Sequence, residues 1–232
     1  MRQADLQTLQ QSSLFHDIAP RVVAGIAADG LVQALPKGTF LFAEGDQPEF
    51  CHMILGGRAG LIAQDGADRE TTIEFFGPGD MLVGAAVILD MPYLVSARLA
   101  ADSRMLLIPA ESFRRHVRHE PALANACLRQ LASHWRLLIG QIKDLKLKTA
   151  PQRVGGYLLE KAGDVGGRAV VTLGEQRKVL AGRLGMSPES LSRALAELRS
   201  FGVGCHGRDV VISDVKQLRE YCKQSKVPRA NA

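Results

Sequence analysis

Residues 123–149 constrain this chain most. Within them Ala124, Leu128, Leu131, Trp135, Leu138, Ile142 and Leu145 succeed one another at spacings of 4, 3, 4, 3, 4 and 3. That is the a/d pattern of a heptad repeat, held for about three heptads. Arg129, Gln130, Arg136, Gln141, Lys143, Asp144 and Lys146 take the other faces, and Gly140 is the only poor helix former. At ~1.5 Å per residue such a helix is about 40 Å long. So narrow a stripe suits a second helix better than a broad core. It predicts a parallel dimer seam of Leu128, Leu131, Trp135, Leu138, Ile142 and Leu145, with the single Trp as an anchor. The other reading is an amphipathic helix packed on its own domain.

The chain before this helix is of a different kind. Residues 1–30 have loosely helical spacing (Leu6, Leu9, Leu14, Phe15, Ile18), and Pro20 can open a second helix over Val22, Val23 and Ile26. From Leu31 onward, short apolar runs are broken by Gly and Pro: Pro36-Lys-Gly38, Glu44-Gly-Asp-Gln-Pro48, Gly56-Gly57, Asp65-Gly66 and Gly77-Pro-Gly-Asp80. Strands of four to seven residues at this spacing predict a compact β-roll or barrel, with a short helix over residues 84–89. Pro109-Ala-Glu-Ser112 begins another helix, which Pro121 breaks before the long one.

The chain after the long helix is basic. Residues 151–232 hold 14 Lys+Arg and 8 Asp+Glu, a balance of +6; the rest of the chain holds 15 and 16, or −1. A basic end on a neutral body suggests nucleic-acid binding, or merely a basic surface. Thr149-Ala-Pro-Gln152 reads as a hinge, and Val154, Tyr157, Leu158 and Leu159 as a helical face. Leu180, Ala181 and Leu184 mark a short helix, and Gly185-Met-Ser187 a turn. Ser187 is a good N-cap with Pro188 at the first helical position, and a second helix is expected over residues 189–200 with Leu191, Leu195 and Leu198 inward. Cys205-His206, a Gly207-Arg-Asp209 turn and Val210-Val-Ile212 then read as a β-hairpin wing. This is a winged helix-turn-helix pattern.

The second helix presents Glu189, Ser190, Ser192 and Arg193 near its start. Arg can make a bidentate contact to guanine, Glu can accept from the cytosine amino group, and Ser can bond a base edge or a phosphate. An i,i+4 Glu189–Arg193 pair on a solvated face is the plainer alternative, and it is compatible with base reading. Ser187, Arg199 and Arg208 complete the candidate DNA-binding set; Arg177, Lys178 and Arg183 are further phosphate candidates.

Roll, long helix and winged helix-turn-helix, in that order, resemble the Crp/Fnr family of bacterial transcription regulators over nearly the whole chain. Gly38, Gly45-Asp46, Gly56-Gly57, Gly77-Pro-Gly-Asp80 and Leu180-Ala-Gly-Arg-Leu-Gly-Met-Ser-Pro-Glu-Ser-Leu-Ser-Arg193 carry the resemblance. It implies an α+β fold: an N-terminal, cyclic-nucleotide-binding-like β-roll sensor domain (1–120), a dimerisation helix (121–149) and a C-terminal winged helix-turn-helix (150–232). It further implies double-stranded DNA, a second copy of the chain and RNA polymerase as partners. The Glu189/Ser192/Arg193 spacing resembles the Fnr-type reading helix, which implies a TTGAT-like palindrome.

The effector pocket implied by the resemblance involves Gly84, Ala85, Val95 and Ser96. Cyclic-nucleotide binders of the family carry Glu after the Gly, to hold the ribose, and Arg before the Ser, to neutralise the cyclic phosphate. Here Ala85 and Val95 stand in those places, and Arg98 has the strand parity of Ser96 rather than of Val95. Cyclic nucleotide is therefore not expected, because an anion would lack its charge-assisted partner. No Cys precedes Cys51, which disfavours the iron–sulfur cluster of the oxygen-sensing members. The apolar look of Met81-Leu-Val-Gly-Ala-Ala-Val-Ile-Leu-Asp-Met-Pro-Tyr93 is similar to the Nnr/Dnr-like subgroup, which implies nitric-oxide sensing with haem as cofactor. The sequence singles out no metal ligand; His16, His52, His116, His119, His134, Cys51 and Cys127 are the candidates.

Other classes fare worse. The four cysteines lie far apart and read as free thiols. There is no phosphate loop, nucleophile elbow or zinc-protease motif, so no enzyme is expected. The longest apolar run, residues 81–89, is far too short to span a bilayer, and the polar N-terminus has no signal-peptide core, so a cytoplasmic chain is expected. Two competing readings stay open: a cyclic-nucleotide-binding regulator with an altered cassette, and a non-catalytic module whose helix pairs with a different protein.

Overall fold

The computed structural model describes residues 1–65, 69–174 and 176–223. The expected turn at Asp65-Gly66 lies outside the described residues. The chain divides into two compact units, Met1–Arg136 and Leu137–Ala232. No described helix is long and apolar enough to cross a membrane.

The first unit opens with helices α1 (Gln3–Gln10) and α2 (Pro20–Ala28), the latter with Pro20 at its first turn. Strands β1 (Leu31–Leu35), β2 (Phe40–Phe42), β3 (Phe50–Gly56), β4 (Ala59–Asp65), β5 (Arg69–Phe76), β6 (Met81–Leu82), β7 (Ser96–Leu99) and β8 (Ser103–Pro109) come next, with helix α3 (Gly84–Leu89) between β6 and β7. They make two antiparallel sheets, β1-β8-β3-β6 and β2-β7-β4-β5. Helix α4 (Ala110–His119) leads into α5 (Pro121–Leu147).

Strand alternation explains why β3 is apolar almost throughout. Cys51, Met53 and Leu55 point to one side, where they pack with Leu9, Phe15, Ile26, Leu106, Phe113 and Leu123. Ile54 points the other way, into the roll, with Phe42, Leu82, Tyr93, Leu99 and Met105. Both faces of this strand are therefore covered. Gly57 sits at φ +92 with Ser103 and Asp102 so close that a Cβ would fall 2.2 Å from Ser103 Oγ, so the β3–β4 turn requires glycine. The α1 end is pinned by an ion pair: Arg104 donates to Asp5 at 2.8 and 2.9 Å and holds its buried carboxyl down to about 2.

Helix α5 shows two kinds of residue. Leu123, Ala126 and Cys127 are buried in the first unit's core. Beyond them the seam is bare: Leu128 is 63% exposed, Trp135 65%, Leu138 51%, and Ile142 and Leu145 47% each, while Leu131 is half-buried. Self-packing thus accounts for the start of the helix and leaves the heptad stripe uncovered.

In the second unit α6 (Ala150–Ala162) starts from a capping box: Thr149 Oγ1 accepts from the Gln152 amide, and the Gln152 side chain accepts from the Thr149 amide. Pro151 thus sits in a first helical turn, where its missing N–H costs nothing. Strand β9 (Ala169–Thr172), helices α7 (Arg177–Arg183) and α8 (Pro188–Glu197), strands β10 (Val203–His206) and β11 (Asp209–Ile212), and helix α9 (Val215–Lys223) complete the unit. The wing sheet runs β10-β11-β9. Val154, Leu158, Leu180, Ala181, Leu191, Leu198, Ile212 and Leu218 form its core. Helix α8 stops at Glu197, short of the expected Ser200, because the chain tightens into a 3-10 turn over Leu198–Phe201 ending on Gly202 at φ +77.

Candidate nucleic-acid interface

The turn between α7 and α8 sets the aim of α8. Gly185 lies at φ +64, a left-handed conformation that favours glycine. Leu184 caps α7, and the Met186 amide bonds back to the Ala181 carbonyl at 3.0 Å. Ser187 then caps α8 by accepting the Ser190 amide at 3.2 Å, with Pro188 in the first turn. Leu191, Ala194 and Leu195 anchor the inner face. Glu189 and Arg193, one turn apart, are exposed on the outer face.

Arg193 is posed: its Nη2 donates to Ser190 Oγ at 3.2 Å, and Ser187 Oγ is in turn 3.2 Å from that hydroxyl. The two serines therefore serve the cap and the arginine, while Arg193 and Glu189 remain outward. Ser192 is exposed, and its hydroxyl donates to the Pro188 carbonyl at 3.0 Å. Arg208 stands exposed in the β10–β11 turn at the wing tip. Arg183 lies over the Tyr157 ring at 5.9 Å, a packing position beside α6. The side chain of Lys178 is outside the described residues. Arg177 and Arg199 are both exposed.

The expected effector residues fall at the α3–β7 cassette. Gly84 and Ala85 open α3, whose flanking residues Val83 (φ 41) and Asp90 (φ 55) are both left-handed. A β-branched residue in that region is strained, and strain of this kind gathers at ligand clamps and switches. Ser96 is buried and its hydroxyl accepts from the Glu44 amide at 3.0 Å, while Val95 is half-buried and Leu94 is 84% exposed. Arg98 is committed elsewhere: it grips Glu70 at 2.6 and 3.2 Å and stacks over Phe40. Ala85 and Val95 thus bring no charge to the two positions where the resemblance expects one.

The candidate metal ligands disperse. His16 contacts Ser13 and Asp17, and His116 contacts Asp29 at 2.9 Å. His119 and His134 are exposed. Burial pushes the Cys51 thiol up strongly and that of Cys127 to about 11, so both stay protonated near neutrality. His52 is buried, and its Nδ1 has no hydrogen-bond partner among the described residues. Burial pushes its imidazole down to about 4, against a weaker upward pull from the Phe50 backbone. Among the described residues no group of three His, Cys, Asp or Glu could hold a metal ion.

Comparison with known proteins finds a match for each of the two domains. Residues 32–120 match the cyclic nucleotide-binding domain, and residues 152–221 match the Crp-like helix-turn-helix domain. The chain is 27% identical over 219 residues to the CRP-like cAMP-activated global transcriptional regulator of Mycobacterium tuberculosis, covering 91% of this chain and 97% of that protein. A crystal structure of a protein from Ruegeria pomeroyi matches with a TM-score of 0.56 at 28% identity, over 95% of this chain and 98% of that one. The crystal structure of DNR from Pseudomonas aeruginosa matches with a TM-score of 0.50 at 24% identity, over 95% and 99%; at that distance the likeness is one of fold.

Proposed function

Because this chain joins a cyclic nucleotide-binding domain to a Crp-like helix-turn-helix domain, and so belongs to the Crp/Fnr family of DNA-binding transcription regulators, we propose that it acts as a homodimer whose α8 helices read a TTGAT-like palindrome. One observation carries the proposal: a capped helix end that holds Glu189 and Arg193 outward, one turn apart, with Arg193 posed by Ser190. A guanidinium held in this way can meet a guanine edge, and a carboxylate beside it can accept from cytosine. Ser192 belongs to the same reading set: its hydroxyl donates to the Pro188 carbonyl, and its oxygen can still accept from a base amino group. The bare stripe on α5 supports the dimer. Paired helices would place two readers about 34 Å apart, one turn of the duplex. RNA polymerase as a further partner rests on the resemblance, and a cytoplasmic location goes with the proposed DNA-binding role.

The effector is proposed to be something other than a cyclic nucleotide, given Ala85, Val95 and the engaged Arg98. Nitric oxide sensed through haem rests on the Nnr/Dnr-like resemblance alone, and the residues do not form a haem seat as they stand. His52 offers a neutral nitrogen without a partner among the described residues, but the rings of Phe42 and Phe50 lie 5.4 and 6.4 Å from its own, and Leu82 and Leu107 are its strand partners. A porphyrin could not reach that nitrogen without repacking the roll. The altered-cassette reading keeps two findings in its favour, the domain match over residues 32–120 and the likeness to a cAMP-activated regulator of Mycobacterium tuberculosis.

Fluorescence anisotropy tests the DNA half of the proposal. Duplexes carrying the palindrome or a scrambled site are titrated at several salt concentrations. Tighter binding to the palindrome at every salt is expected; equal affinity for both would remove sequence reading.

A further inference from the structure

Leu145 belongs to two neighbourhoods. By its spacing it is the last position of the α5 stripe, and it is 47% exposed. Its methyl groups also lie on Gly185, in the turn that aims α8: a Cβ on that glycine would fall 2.5 Å from Leu145 Cδ2 and 3.8 Å from Cδ1. Gly185 sits at φ +64. It is followed by Met186, whose amide donates to the Ala181 carbonyl at 3.0 Å, and by Ser187, the cap of α8. The leucine therefore covers the face of the turn on which a larger residue at position 185 would carry its side chain.

The backbone beneath Leu145 is well held. The Lys148 amide donates to the Asp144 carbonyl at 2.9 Å, and the Lys148 ammonium pairs with the Asp144 carboxylate at 2.9 Å. Arg153 spans from the Lys148 carbonyl to those of Leu184 and Gly185. The end of α5 is thus tied to the turn, and the freedom left lies in the leucine side chain. Half exposed, that side chain can exchange its rotamer on Gly185 for one that faces solvent. A paired seam removes this freedom, because a seam knob inserts into a hole formed by four residues of the facing helix.

We propose that Leu145 is the positioning residue through which pairing of α5 fixes the aim of α8. A second copy of the chain closes the bare side of Leu145 and holds it on Gly185, so the α7–α8 turn is firmer in the dimer than in the single chain. The proposal rests on the homodimer and DNA-binding readings above. It adds that dimerisation does more than bring two readers together: it also sets each one. Leu145 acts through the turn and not on the duplex.

Amide hydrogen exchange of the full-length chain without DNA tests this, at concentrations below and above the dimer dissociation constant found by sedimentation. In the wild type, exchange over residues 184–190 is expected to slow as the dimer forms. In Leu145→Ala it should stay fast even where sedimentation shows dimer, and Leu145→Met should restore most of the protection. Leu138→Ala, elsewhere on the stripe, should only shift the concentration at which protection appears. Anisotropy on the palindrome and scrambled duplexes, with affinity expressed per dimer, should then show Leu145→Ala weaker on both by about tenfold, a usual size for coupling between sites. Leu138→Ala should lose affinity only through its weaker dimer. Wild-type exchange that ignores protein concentration, or that matches Leu145→Ala in the dimer, overturns the coupling; a palindrome still preferred then leaves the sequence reading standing. Faster exchange in Leu145→Ala with unchanged affinity per dimer also overturns it. Concentration-dependent protection and weaker binding by Leu145→Ala, with no preference for the palindrome, support the coupling and remove the sequence reading. A wild type that stays monomeric overturns both the coupling and the dimer.

Discussion

The Arg153 guanidinium donates through Nε to the backbone carbonyl of Leu184 at 3.0 Å. Its other nitrogens reach the Lys148 carbonyl at 3.1 Å and the Gly185 carbonyl at 3.4 Å. One side chain on α6 therefore ties the end of α5 to the turn that aims α8. The same turn is pressed from the α5 side as well, since a Cβ on Gly185 would fall 2.5 Å from Leu145 Cδ2. The last turn of the long helix and the reading helix are linked twice within the second unit.

Arg153 is accordingly a positioning residue. Arg153→Ala should lower the unfolding free energy by about 2 kcal/mol, the scale of charge-assisted hydrogen bonds to carbonyls. Chemical denaturation measures this. It should also weaken binding to palindrome and scrambled duplexes alike, because the aim of α8 loosens and no base contact is lost. A stability equal to the wild type would show that the three carbonyls are satisfied without it.

The α5 stripe gives a second prediction. Leu138 and Ile142 are exposed in the single chain, so Leu138→Glu or Ile142→Glu should leave the fold intact. Sedimentation should show the wild type as a dimer at micromolar concentration and either variant as a monomer. Burying one such half-exposed side chain contributes roughly 1 kcal/mol per copy, and a charge in the seam reverses that. A monomeric wild type would return the helix to solvent or to a different partner.

The cassette gives a third. Calorimetry with cyclic AMP and cyclic GMP at about 1 mM should show no binding heat, since affinities weaker than this are worth under about 4 kcal/mol. Saturable heat from either nucleotide would restore the altered-cassette reading and direct attention to groups other than Ala85 and Val95.

His52 makes a pH prediction. Its imidazole is pushed down to about 4 in the folded chain, below the ordinary 6.5. The unfolded chain thus binds the proton more readily, so the stabilising contribution is complete above pH ~6.5 and is lost as pH falls towards 4. His52→Leu removes this group, and its unfolding free energy should fall less than that of the wild type between pH 6.5 and 4. Parallel slopes, followed by circular dichroism, would show that His52 gains a partner or water in the acid range.

Much of this was legible because local rules and long-range packing agree. The 4-3 spacing from Ala124 to Leu145 marked a helix whose bare face is visible only when burial is known. Ser187 and Pro188 announced the start of α8, and Thr149 with Gln152 the start of α6, because capping is local chemistry. Helix α9 was not foreseen, although Asp214 accepts from the Lys216 and Gln217 amides and Val215 and Leu218 are buried at helical spacing. That Arg177, Ser192 and Cys205 share one neighbourhood was not legible, because they meet only through the fold. Nor was the Arg98–Glu70 grip, which depends on the position of β5 across the sheet.

Sequence reading by Arg193 is the central claim, and a double-mutant cycle tests it most directly. Wild type and Arg193→Ala are titrated onto the TTGAT palindrome and onto the same duplex with the guanine of each half-site replaced. Each single change should cost about 1–3 kcal/mol per half-site, and the two together little more than one, because both remove the same contact. Fully additive losses would show that Arg193 does not meet that guanine, and would contradict the proposed reading.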